Sequence, residues 1–115
     1  MTANQPSSSF QSNYVTRVLG LYVQLPDTPA QANAQDRLLA QQVLASGVPE
    51  ETVETALLLA SLRRLARDQS AGSLPRIRSL AYFLPVIEEL GMQPARPHYL
   101  GFLRNKLRAV AQGRP

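Results

Sequence analysis

One histidine and no cysteine set the first limit on the chemistry open to these 115 residues. Nucleophilic catalysis needs an activated nucleophile beside a base, and His98 is the only imidazole. It follows Pro97 at the start of a basic segment, where a solvated or phosphate-facing ring is a better expectation than a general base. A single histidine without thiolates cannot build a typical zinc site. Glu88 and Glu89 are adjacent, hence about 100° apart on a helix, which is poor geometry for two carboxylates sharing one substrate. Glu50 and Glu54 do share a face, but acids at a helix start complement its dipole. Neither common glycine-rich phosphate loop is present. The residues point to a non-enzyme, with no catalytic group, no metal and no cofactor.

What the sequence does offer is arginine. Residues 1–59 carry two cations against five acids, a net −3, whereas residues 60–115 carry ten against three, a net +7. A basic C-terminal half points to a polyanionic or acidic partner. Three clusters carry it. Arg63, Arg64 and Arg67 fall within about 100° of arc on one helix. Arg76 and Arg78 lie in the segment that follows. Gly101, Arg104, Asn105 and Arg108 share one face of the last helix at i, i+3, i+4 and i+7, with Arg96 and Lys106 nearby. Arginines at i, i+4 repel slightly and do not serve helix stability; an anion across them gives the spacing a use. Arginine pairs with phosphate bidentately, and phosphate contacts alone bind without choosing a sequence. No aromatic residue is interleaved among these cations, so stacking of single-stranded bases is not expected. The expected partner is DNA or RNA, held through its phosphates. The same cations could dock an acidic protein, and Leu38, off the apolar side of its helix, marks a contact or dimer seam for that adaptor or oligomeric-subunit reading.

The elements that must position these residues are all helical. No apolar run reaches the ~20 residues needed to span a bilayer, and Met1 to Phe10 has neither the basic nor the apolar part of a secretory signal, so a cytoplasmic domain is expected. Residues 1–12 read as a flexible tail and 13–112 as one helical domain. A first helix is predicted over Tyr14–Leu25, capped by Asn13 and stopped by Pro26. Thr28 and Pro29 are expected to open a second, which ends at Gly47. Asp36 on it is either an exposed first-turn acid or a partly buried one paired to an arginine. A third helix, from Pro49 to Asp68, is apolar around its circumference through Ala56–Ala60, Leu62 and Leu65, so it belongs at the centre. A fourth follows Ser79, with Pro85 inside it on the polar face. A fifth opens at Pro97 and buries Tyr99, Leu103, Leu107 and Val110. The fold class is all-α: a compact orthogonal bundle of about five helices, the third central.

Val43, Gly47, Val48 and Val53 have roughly the spacing of a helix-turn-helix. A recognition helix enters the major groove by its N-terminal residues, and here those include Glu50, Glu51 and Glu54, which phosphates repel. A tight corner between packed helices is the expectation.

The stretch from Ile77 through Leu90, IRSLAYFLPVIEEL, together with Leu25–Pro29 and Arg63-Arg64-Leu65, resembles small helical accessory proteins of bacterial mobile elements, in particular replication-initiation accessory proteins and DnaD-like C-terminal domains. The likeness covers about residues 14–108 and rests mostly on apolar helix pattern. It implies a non-catalytic, DNA-associated accessory role and carries over no individual site residue; the winged-helix wing, the ATPase motif and the transposase carboxylates are all missing from the sequence.

Overall fold

The computed structural model describes residues 6–71, 74–91 and 98–112, with side chains over 11–67, 74–91 and 98–110. Five α-helices and no strand make up the described chain: α1 (Pro6–Val23), α2 (Ala34–Ala45), α3 (Glu50–Ala71), α4 (Leu84–Leu90) and α5 (Tyr99–Gln112), with a 3-10 turn at Leu80–Phe83 just before α4. It is an all-α bundle.

α3 is the centre, for the reason its composition predicts. Val53, Ala56, Leu57, Leu58, Ala60 and Leu65 are all buried and lie around much of the helix circumference. α1, α4 and α5 pack directly against it, while α2 packs on α1 and on the 3-10 turn. α1 brings Tyr14, Val18 and Tyr22 into the core, and α5 brings Leu103 and Leu107. The α2–Gly47–α3 corner leads the chain into this central helix. Gly47 takes φ 84° there, the left-handed conformation that glycine adopts without steric cost.

The larger departures of the helix boundaries from the sequence expectations are four. α1 begins at Pro6, not Tyr14, so residues 6–12 belong to it. Once the packed Tyr14–Val23 stretch is helical, each residue added upstream gains a hydrogen bond without a new nucleation cost, and proline suits a first helical position. α2 begins at Ala34, not at Pro29. Thr28 is buried and donates its hydroxyl to the Leu25 carbonyl at 2.7 Å, closing the turn after α1, and Asn33 is the cap. Its side chain accepts from Asp36 N at 2.8 Å while Asp36 accepts from Asn33 N at 3.0 Å, a reciprocal capping box. α3 continues to Ala71, past Asp68.

The fourth difference concerns Pro85. The predicted single helix after Ser79 is two pieces. Ser79 does cap, accepting from Ala81 N at 3.0 Å, but what it caps is the 3-10 turn. Pro85 then falls in the first turn of α4, where no intrahelical bond is asked of its missing N–H. Tyr99, expected in the buried stripe of α5, is 36% exposed. Pro97 lies outside the described residues.

Candidate nucleic-acid interface

The residues linking α3 to α4 form the best-defined basic site. Ile77 is buried, and Arg76 and Arg78 on either side of it are not. Polar contacts between described residues hold this segment to the fold. Ile77 N donates to the Asp27 carbonyl at 3.0 Å. The Arg64 guanidinium reaches the Pro75 carbonyl. Leu80 N donates to Asp36 Oδ1 at 2.9 Å. Asp36 is thus wholly buried, closer to the second of its two expected readings, but its partners are backbone N–H groups of the cap and of the 3-10 turn, not an arginine. One carboxylate both starts α2 and fixes the end of the arginine-bearing segment.

Arg64 is the second anchor. It is only 5% exposed, its Nε lies 3.4 Å from Asp27 Oδ2, and its guanidinium sits 5.5 Å from the centre of the Tyr82 ring. Burial alone would lower its pKa, but its interactions with Tyr82 and Asp27 outweigh this and raise it. A buried cation held by these partners supports the site from beneath and does not reach a ligand directly. Asp27 stands at φ 65°, the only described residue other than glycine with positive φ. In that strained turn its carboxylate meets Arg64 and its carbonyl meets Ile77.

Around these anchors Arg64, Arg67, Arg76, Arg78 and Tyr82 line an open cleft of about 360 Å³, whose floor includes Pro75 and Ile77. No carboxylate is among its described lining residues. Two of the three arginine clusters therefore meet, Arg64 and Arg67 from α3 with Arg76 and Arg78 from the following segment. Arg63, from the same α3 cluster, turns away. Its two terminal nitrogens donate to both oxygens of Glu89 on α4 at 3.0 Å each, which raises the Arg63 pKa and lowers that of Glu89.

The α5 face does not join them. Arg104 pairs with Glu54 of α3, with Nε 2.8 Å and Nη2 2.6 Å from Oε2. Arg104 and Arg108 line a different cleft with Glu54, Leu58 and Leu107. A carboxylate already sits where an anion would be held. Asn105 and Lys106 are exposed on the outer side of α5 and Gly101 is open, for a Cβ there would meet nothing within 4 Å. Arg96 lies outside the described residues.

Volume does not choose among the surface clefts. A third, of about 350 Å³ between α2 and α4, is lined by Leu39, Val43, Val48, Leu84 and Ile87 together with Glu88. Charge chooses, because of these three only the Arg67–Arg76–Arg78 cleft has arginines and no acid among its described lining residues. Comparison with protein families, curated proteins and solved structures finds no match. The site is read from its own geometry.

Two features of the site escaped sequence reasoning. Tyr82 is the aromatic group that linear spacing placed among no arginines; the fold brings it into the cleft, 38% exposed. The signal available was its place in Leu80-Ala81-Tyr82-Phe83, where Leu80 and Phe83 are fully buried and Tyr82 is turned outward. The second is Asn33-x-x-Asp36, a capping pattern legible in the chain but masked by the stronger-looking Thr28-Pro29. Elsewhere, Tyr99 and Phe102 stack on the exterior of α5 with ring centres 6.3 Å apart, and Leu38 is 48% exposed on α2. Among the described residues no three His, Asp or Glu side chains gather as a metal site requires, and no helix is long and apolar enough to cross a membrane.

Proposed function

We propose that this chain is a non-catalytic nucleic-acid-binding accessory domain that holds phosphates in the cleft formed by Arg67, Arg76 and Arg78. The observation that supports it most is the joining of two arginine clusters around a cleft with no carboxylate among its described lining residues. Like charges brought together on a pinned segment raise the energy of the unliganded protein. A bound polyanion relieves that repulsion. Arginine forks suit phosphate oxygens, and contacts of this kind release counterions from the nucleic acid, so affinity falls steeply with salt. The basic half of the chain extends the attraction beyond the cleft. The resemblance of Ile77–Leu90 to accessory proteins of bacterial mobile elements suggests a setting in which such binding is used.

The test is a binding titration against generic duplex and single-stranded DNA and RNA at about 50 and about 200 mM salt. Affinity is expected to fall by an order of magnitude or more across that range. Replacing Arg76 and Arg78 together with alanine should weaken binding and make the slope of log K against log salt shallower by about 0.7–0.9 for each phosphate that is no longer neutralised. No binding at the lower salt would overturn the proposal. It would favour the second reading, an adaptor docking a protein partner, which the exposed Tyr99–Phe102 stack supports.

A further inference from the structure

We infer that the nucleic acid held in the arginine cleft is single-stranded, with one unstacked base lying on the ring of Tyr82; this rests on the phosphate-binding reading of the cleft. Tyr82 lines the same cleft as the three arginines and is 38% exposed. The ring is not loosely placed. The Arg64 guanidinium sits over it, 5.5 Å from its centre. The Phe83 ring meets it edge-on at 5.2 Å and 80°. Arg64 and Phe83 are both buried, so the ring is held from inside the fold and offered to the cleft.

An aromatic side chain fixed in this way loses little freedom when a base lies on it, so most of the stacking energy is retained on binding. Stacking is sequence-tolerant, because every base has a π-face. A duplex cannot use the ring, since its bases are already stacked on one another, whereas its phosphates can still reach Arg67, Arg76 and Arg78. The cleft thus pairs a backbone-tracking element with a base-stacking one, the combination that single-strand binding uses. The guanidinium against Tyr82 is Arg64, already buried and bonded to Asp27 and Pro75. It orders the ring, and Arg76 and Arg78 beside it are left to the phosphates.

The experiment compares wild type, Tyr82→Leu and Tyr82→Phe by fluorescence anisotropy with labelled oligo-dT, oligo-U and a mixed-sequence duplex at one low salt concentration. Wild type should bind at least one of the single strands more tightly than the duplex. Tyr82→Leu should weaken single-strand binding by about 5- to 100-fold, the equivalent of one missing stack, and change duplex binding by less than about twofold. Tyr82→Phe keeps the ring and should stay close to wild type on all three probes. Because the chain has no tryptophan, Tyr82→Trp supplies a single indole at the site. Its emission should be quenched by the bound single strand and not by the duplex, a readout that does not depend on how well Tyr82→Leu folds. Single-strand affinity unchanged in Tyr82→Leu, equal losses on strand and duplex, or an unquenched indole would each overturn the inference while leaving phosphate binding intact. Failure of wild type to bind any of the probes would instead remove the phosphate reading beneath it.

Discussion

Two buried tyrosines, similar in type and burial, are asked to do different things. Tyr14 donates its hydroxyl to the Val48 carbonyl at 2.7 Å, tying α1 to the turn before α3. The Tyr22 hydroxyl is buried without a hydrogen-bond partner, although its ring packs edge-on against Phe83 at 5.9 Å. A made hydrogen bond contributes about 1 kcal/mol net, whereas a buried hydroxyl without one carries an uncompensated desolvation cost. Tyr14→Phe should therefore destabilise by about 1 kcal/mol, and Tyr22→Phe should be neutral or stabilising. Urea unfolding of the two variants measures the contrast, and a loss of stability in Tyr22→Phe comparable to that in Tyr14→Phe would contradict it. The arginines also separate at this scale. Arg17, Arg63, Arg64 and Arg104 are each committed to an acid on another part of the fold. Arg76, Arg78, Lys106 and Arg108 make no ion pair with a described residue, and of these only Arg76 and Arg78 line the cleft that has no carboxylate among its described lining residues.

At the scale of the element, α3 carries the domain. Its apolar circumference was legible from the sequence because a run such as Ala56-Leu57-Leu58-Leu59-Ala60 leaves no polar face to turn to water. Leu57 is 1% exposed on α3. Leu57→Asp puts an unpaired carboxylate into that packing, at a cost of several kcal/mol against a marginal total stability. The variant is expected to lose its cooperative thermal transition in circular dichroism. A melting curve like that of wild type would show that the face is not core. Element boundaries were less legible. Thr28-Pro29 is a sound helix start by local propensity, but the chain there is needed for the Asp27 turn that meets Arg64 and Ile77. Asn33 caps instead, because Asp36 completes the box and also accepts from Leu80 N.

At the scale of the molecule, the tyrosines set an alkaline limit. Burial pushes Tyr14 up to about 12, with the nearby Glu50 charge adding to it, and burial pushes Tyr22 to about 12, with Asp36 adding. The unfolded chain releases these protons near 10. Between those values the native state binds more protons than the unfolded one, so stability falls as pH rises. The contribution is fully present below about pH 10 and is lost through about pH 12. Melting temperature should drop steeply above about pH 10, and a Tyr14→Phe/Tyr22→Phe double variant should flatten that drop. An unchanged slope would mean that other groups govern alkaline unfolding.

The sequence alone determined the helical class, the central place of α3 and the basic bias of the second half. These follow from periodicity and from charge counted along the chain, which are local quantities. Only the tertiary structure decided which arginines meet. Arg63 and Arg64 are neighbours in sequence, yet one turns to Glu89 on α4 and the other is buried against Asp27, because adjacent helix positions point about 100° apart. Arg67 comes together with Arg76 and Arg78 because the segment after α3 is bonded back to Asp27, Arg64 and Asp36. The same bonds bring Tyr82 beside them. Such contacts join residues far apart in the chain, 44 positions for Asp36 and Leu80 and 50 for Arg104 and Glu54, and no local pattern encodes them.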